Sequence, residues 1–431
     1  MRRVLRRPRV MPAILATIVL ALPVASRAVE TPALGCSWPV KLDADTLNTA
    51  FPDESATYWG TRFVSLPGAR LVIRGSYPAA RYFSFHAYDD AQRPVGALAD
   101  REISPDAGSV NPFVTPGADP GGSYTAFVEF TAAPPEPAPN TLYAGAMADG
   151  TPNPGGFILL RVYVADDPAD ATGGVPLPDL SLELPGGVTI PFARCEPLPP
   201  STGGAFTEAI RESSFPDAVP RIVPWLPATT TPEFRRFYGL DRNVWDRVPP
   251  NPVTDPVPRF QGGFLSNMHI AYLYKILSRE FGDVFVFRAK APTFPDTRPP
   301  GTGSPTDATE VRYWSICENE FATQRYIGCV ADHQTVVAPD GFFTFVVSDP
   351  ADRPDNATAA NGVNWLPWGG PFYDGLIIYR HMLPALSFTA AIQNVPEGTD
   401  PATVMGDYFP RGGYCTTEAF ESAGIACAGT A

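Results

Sequence analysis

Four histidines occur in this 431-residue chain, and two of them, His333 and His381, share a stretch with Glu318, Asp332, Trp314, Trp365, Trp368 and Tyr379. A histidine beside a carboxylate can shuttle a proton or hold a metal. His333 or His381 as base, oriented by Glu318 or Asp332, is therefore a candidate hydrolytic set. The competing reading makes each imidazole a packed side chain, as for the lone His86 beside Phe85. The loop NWLPWGGPFYDG sets Trp365 and Trp368 beside Asn364 and Asp374. Flat aromatic faces with polar neighbours suit stacking of a small molecule or glycan. Tyr379 would extend that platform, with Arg312 and Arg380 orienting polar groups; the alternative is core packing under a proline-rich loop. The sequence contains no G-x-S-x-G, H-E-x-x-H, phosphate loop or dinucleotide-binding glycine pattern. Aspartate-rich turns such as VADDPADATGG miss the EF-hand spacing and read as solvated turns. No cofactor and no metal is assigned.

The elements that must carry these residues are announced by an internal repeat. RYFSFHAYDDAQRPVGALADRE from Arg81 and RYWSICENEFATQRYIGCVADHQ from Arg312 share nine identities with one gap at Thr323. The register continues outward in both directions. PGARLVIRGSYP matches FGDVFVFRAKAP, SYTAFVEF matches GFFTFVVSD, NTLYAG matches NWLPWG, and GFILLRVYV around Arg161 matches DGLIIYRHM around Arg380. Short runs rich in Val, Ile, Phe and Tyr between Pro, Gly and Asp turns predict antiparallel sandwich or jelly-roll strands. The expectation is a mainly β chain: a module over 58–165, a proline-rich connection over 166–265, and a second module over 266–384. Residues 29–57 form an N-terminal segment, and 385–431 a helical, disulfide-closed tail. Helices are predicted at SNMHIAYLYKILSRE, from Ser266 as N-cap, and at DPATVMGDYF, with Asp400 as cap and Pro401 first. FTEAIRESS and SFTAAIQNV are weaker helical candidates.

Residues held in both copies, Arg81/Arg312, Tyr82/Tyr313, Ser84/Ser315, Gly96/Gly328 and Asp100/Asp332, are read as keeping the fold, with Arg and Asp suited to a half-buried ion pair. Two equivalent ligand sites, one per module, are the alternative. Cys317 stands where His86 stands and Cys329 where Ala97 stands, so the second copy has room for a hairpin staple.

The 51 prolines interrupt long regular elements. MRRVLRRPRV, the apolar MPAILATIVLALPVA and the small residues of SRA ending at Ala28 predict a secretory signal over 1–28, with an uncleaved anchor as the alternative. Cleavage leaves no stable membrane span. Removing that segment with its six arginines takes the formal charge from −13 to −19, which disfavours nucleic acid and anionic membranes. Six cysteines in an exported chain predict three disulfides, and spacing favours Cys317–Cys329, Cys415–Cys427 and Cys36–Cys195.

From DGFFTFVVSD through NWLPWGG to DGLIIYRHM, the second module resembles bacterial exported proteins known only as domains of unknown function, of the twelve-fourteen type often found with twelve-fifty-four. The resemblance rests on Asn364, Trp365, Leu366, Pro367 and Arg380, and departs at Tyr379–His381. It implies a jelly-roll-like β-sandwich and supplies no reaction. The expected function is an exported, disulfide-bonded tandem sandwich that binds a small molecule or glycan. A hydrolase built on the histidine–carboxylate set and a structural envelope protein are the rival readings.

Overall fold

The computed structural model describes residues 35–45, 48–197, 234–239, 263–299, 302–320, 323–369 and 374–429. The expected signal segment and the helical candidate FTEAIRESS lie outside them. The chain is mainly β and contains the repeat as two sandwiches. In the first, one sheet has the order β1 (Val40–Leu42), β2 (Ala56–Val64), β8 (Gly155–Ala165), β4 (Ala80–Asp89) and β5 (Pro94–Ala99). In the second, the corresponding sheet runs β11 (Arg235–Phe237), β12 (Ile270–Ser278), β18 (Asp374–Met382), β14 (Tyr313–Glu320) and β15 (Arg325–Ala331). The two orders match strand for strand.

The partner sheets correspond as well. One places β3 (Arg70–Ser76) between β6 (Ser123–Glu129) and β9 (Asp179–Glu183), with β7 (Thr141–Tyr143) and β10 (Thr189–Pro191) at the edges. The other places β13 (Val284–Lys290) between β16 (Phe342–Ser348) and β19 (Arg411–Cys415), with β17 (Asn364–Pro367) beyond β16. In each, the edge strand pairs in parallel, Phe127 opposite Thr141 and Phe345 opposite Asn364. The asparagine that opens this strand is a clasp. Asn140 Nδ2 donates to Thr125 O at 2.9 Å, and Asn364 Nδ2 donates to Thr344 O at 3.1 Å. The first module thus reaches past residue 165 to take β9 and β10, and the tail supplies β19 to the second.

Alternation along the strands fills one core per sandwich. Trp59, Phe83, Phe85 and Leu160 enter the first; Leu273, Trp314, Phe343 and Ile377 enter the second. A third cluster, of Tyr58, Tyr82, Tyr163, Tyr313, Ile270 and Met382, joins the two five-stranded sheets across the module boundary. The predicted helix at Ser266 is instead strand β12. Ile270, Leu273 and Leu277 suit a helical stripe, but alternate residues Ala271, Leu273 and Leu277 share the inner face, and β12 pairs with β18 along its whole length. Tyrosine-rich sequence gains little from a helix and much from that pairing.

The helix at Pro401–Met405 (α1) forms as expected, with Asp400 Oδ1 accepting from Ala402 N at 3.0 Å. SFTAAIQNV contributes only a short turn at Ile392–Asn394. A further helix, α2 (Thr417–Ala423), follows β19. No helix among the described residues is long and apolar enough to cross a membrane.

All three disulfides pair as the spacing favours: Cys36–Cys195, Cys317–Cys329 and Cys415–Cys427. Cys317 lies opposite Cys329 as His86 lies opposite Ala97, so the hairpin staple occupies the expected cross-strand position.

Candidate functional site

Leu160 and Val162 of β8, like Ile377 and Tyr379 of β18, point into the sandwich cores. Their neighbours Leu159, Arg161, Ile378 and Arg380 consequently face the opposite module. Tyr58 stands beside Arg161 and Tyr272 beside Arg380 in equivalent registers, with guanidinium-to-ring distances of 4.7 and 6.0 Å. Between these faces lies a cavity of about 160 Å³.

Two arms close it. Residues 49–53 precede β2 and residues 264–266 precede β12, and both line the cavity. Each arm passes through a consecutive left-handed pair that contains no glycine: Ala50 and Phe51 (φ 59° and 55°), and Phe264 and Leu265 (φ 50° and 51°). Such residues cost on the order of 1 kcal/mol each, so surrounding contacts must hold them. The contacts come from the other module in both cases. Phe51 N donates to Gln324 O at 2.8 Å, and Leu265 N donates to Gln92 O at 3.2 Å. Arg380 Nη2 donates to Phe51 O at 2.8 Å, and Arg161 Nη2 donates to Leu265 O.

The near-symmetry fails at one charge. Asp53, in the first arm, accepts from Tyr313 Oη at 2.8 Å and Ser315 Oγ at 2.6 Å, and lies 3.9 Å from Arg380 Nε. The residue at the same distance ahead of β12 is Asn267. Arg161 is 4% exposed; among the described residues it bonds through Nη2, to Leu265 O and to Tyr88 Oη at 2.6 Å, and its Nε is buried without an acceptor. No carboxylate among the described residues is within ion-pair distance of it. Asp43, the other acid in the wall, is held by Lys41 at 3.0 Å.

The tyrosines cannot supply the missing charge, because burial pushes Tyr88 and Tyr272 up to about 12. Burial also drives His269 down to about 4 and His86 well below the usual histidine range, with the Arg161 charge adding to both. Ser84 Oγ and His86 Nδ1 are 3.1 Å apart, the spacing of a nucleophile and its base. However, His86 Nε2 accepts from Met268 N at 3.2 Å, which places the ring proton on Nδ1 and makes this histidine a donor toward Ser84.

Of the catalytic and ligand-binding candidates named from sequence, only Arg380 lines this cavity. Tyr379 is fully buried among Trp314, Phe343 and His381, and Trp368 is 3% exposed in the same core. Trp365 is half-buried, donating to Ser348 Oγ at 3.0 Å with Arg353 4.5 Å over its ring. Arg312 donates to Arg81 O at 3.1 Å and faces Asp100 at 3.6 Å. These residues form no platform, because inward strand positions and a loop folded onto the core take the aromatic faces.

Of the hydrolytic set the structure brings together only His333 and Asp332, leaving His381 and Glu318 in the sandwich core. Asp332 accepts from Arg81, from Trp314 N at 3.1 Å and from His333 N at 2.7 Å. His333 lies against Asp332 at 3.3 Å at the module boundary. His381 sits in the sandwich core beside Phe388, where burial lowers it to about 3. Glu318 is also inward-facing, on β14, where a Cβ on Gly375 would come within 2.1 Å of its Oε1.

Arg161, Tyr58, Tyr272, Phe51 and Phe264 went unmarked as site residues. The repeat already aligned Arg161 with Arg380 as cations inside apolar strands, which is the signal for a polar residue facing something other than a core.

No family model matches the chain, and no curated protein matches it. Among solved structures it is similar to an uncharacterized protein from Burkholderia cenocepacia, at 16% identity over 86% of this chain and 83% of that one, with a TM-score of 0.46. It is also similar to the VPA0106 protein of Vibrio parahaemolyticus, at 14% identity over 85% and 90% of the two chains, with a TM-score of 0.37. At that distance neither similarity speaks to activity.

Proposed function

We propose that this is an exported binding protein that holds a small, largely apolar molecule in the cavity between its two modules. The observation that carries the reading is the cavity itself. Two sheet faces equivalent by the repeat meet with a space of about 160 Å³ walled by Leu159, Ile378, Phe51, Phe264 and the tyrosines. That volume is close to the roughly 150 Å³ of an engineered apolar cavity that takes up benzene. Export is supported by the basic and apolar N-terminal sequence together with three disulfides. Among the described residues Trp38, Trp59, Trp314 and Trp368 are buried and Trp365 is half-buried beneath Arg353, so none offers a glycan an open face and a small molecule is preferred.

The test is a thermal-shift screen of small aromatic probes on the disulfide-intact chain, repeated on Ile378→Trp, whose indole fills the space. Probes should raise Tm in the natural protein and not in the variant. Equal shifts in both, or none with any probe, would reject the cavity as a binding site.

A further inference from the structure

We infer that the molecule held between the modules carries a carboxylate, and that Arg161 reads it. The inference rests on the binding reading above and adds the chemical class of the ligand. It starts from the difference between the two halves of the cavity. Arg380 and Arg161 occupy equivalent positions on β18 and β8, each beside a tyrosine and each gripping a carbonyl of the opposite arm. Arg380 has Asp53 near its Nε, so that half is neutral. The matching position in the second arm is Asn267, which brings no charge, and its Nδ2 is itself buried without a partner.

Among the described residues this guanidinium has no counter-ion, and two neutral acceptors on one nitrogen do not replace the water it has lost. The neighbouring groups do not offset that cost. Tyr58, Tyr88 and Tyr272 are neutral, His269 and His86 are neutral, and Lys41 and Arg380 already engage Asp43 and Asp53. A bound carboxylate would restore in the second half what Asp53 provides in the first. Its oxygens would take the donors that Arg161 leaves unused, while its apolar body lay against Leu159, Ile378 and Phe264. The volume limits that body to about a benzene ring or a short chain. Aromatic and short-chain monocarboxylic acids are the class that fits. A phosphate would bring a second charge to a wall whose other arginine already faces Asp53, and an amine would be repelled.

Phenylacetate and its neutral isostere phenylacetamide separate the possibilities, titrated by calorimetry into the full disulfide-bonded chain. The acid should bind at least about tenfold more tightly than the amide, the scale of one charge-assisted hydrogen bond. Arg161→Gln should abolish the preference. Asn267→Asp should also abolish it, by giving Arg161 an internal counter-ion, while amide binding stays unchanged as the check that the cavity is intact. Because Asn267→Asp adds rather than removes a partner, it decides the matter should Arg161→Gln not fold. Equal affinity of acid and amide in the natural protein would overturn the carboxylate inference and leave the cavity reading standing. An acid preference that survives either variant would overturn Arg161 as its reader. Failure of both probes to bind would remove the cavity reading and this inference together.

Discussion

Glu318 shows how far environment can move one side chain. Burial inside the second sandwich raises its carboxyl to about 8, with the Arg279 charge pulling in the other direction. The unfolded chain releases that proton near the ordinary glutamate value of about 4.3. Between those two values the folded state binds more protons than the unfolded state. Stability on account of Glu318 therefore falls as pH rises from about 4.5 to about 8, and levels off above that. Glu318→Gln removes this slope. In urea unfolding the variant should match the natural protein near pH 4.5 and exceed it by about 2–4 kcal/mol at pH 8, at roughly 1.4 kcal/mol per pH unit before relaxation of the site. A parallel pH dependence in both proteins would show that the carboxyl titrates normally. Nothing in the local sequence ENEF distinguishes this glutamate from an exposed one; its inward direction follows from strand parity, which depends on where β14 begins. The same is true of Tyr379 and His381. Their types suggested chemistry, and only the phase of β18 shows that they face a core.

Strands and their connections were more legible than single side chains, and for a physical reason. A duplicated sequence constrains itself, because every turn or strand must make sense twice. The alignment of NTLYAG with NWLPWG marked equivalent segments, although the second was read as a loop and both form parallel edge strands, β7 and β17, and the substitution of Cys317 for His86 located a cross-strand staple. Removing that staple with Cys317→Ala and Cys329→Ala, which opens a loop of sequence separation 12, should lower unfolding free energy by about 3 kcal/mol in the chain-entropy model. The measurement is denaturant unfolding of the double variant beside the natural chain, and a loss under about 1 kcal/mol would contradict it. Reading β12 as a helix failed because the apolar positions of SNMHIAYLYKILSRE satisfy both periods, and the deciding contact, β18, is distant in sequence. The two left-handed arms were not legible at all. Neither contains a glycine at its positive-φ pair, and their anchors belong to the opposite module.

Across the whole molecule the repeat was legible, but not how its copies meet. Arg81 and Asp332 form a fully buried ion pair between modules, and Arg312 faces Asp100 in the reciprocal arrangement. Each arginine thus finds its aspartate in the other copy, where the sequence had led to a half-buried pair with no sign of exchange. Asp332→Ala leaves the Arg81 guanidinium buried without its main partner, with only Asp296 at 3.4 Å. It should cost about 3–5 kcal/mol, whereas Arg81→Met combined with Asp332→Leu should cost much less. Chemical denaturation of both variants checks this; similar losses would show that packing matters more than charge at the boundary.

Reciprocal contacts of this kind are what a pair of identical subunits makes about a twofold axis. Two separate copies of one polypeptide would be bound to present the same residue on both sides of such an axis. Joined in one gene product, the halves are free to diverge, and the aspartate of one arm can face the asparagine of the other. A buried arginine with no carboxylate partner among the described residues, opposite one that has Asp53, is a difference no symmetric dimer could own, and it would give the guest proposed above one orientation in the cavity and not two equivalent ones.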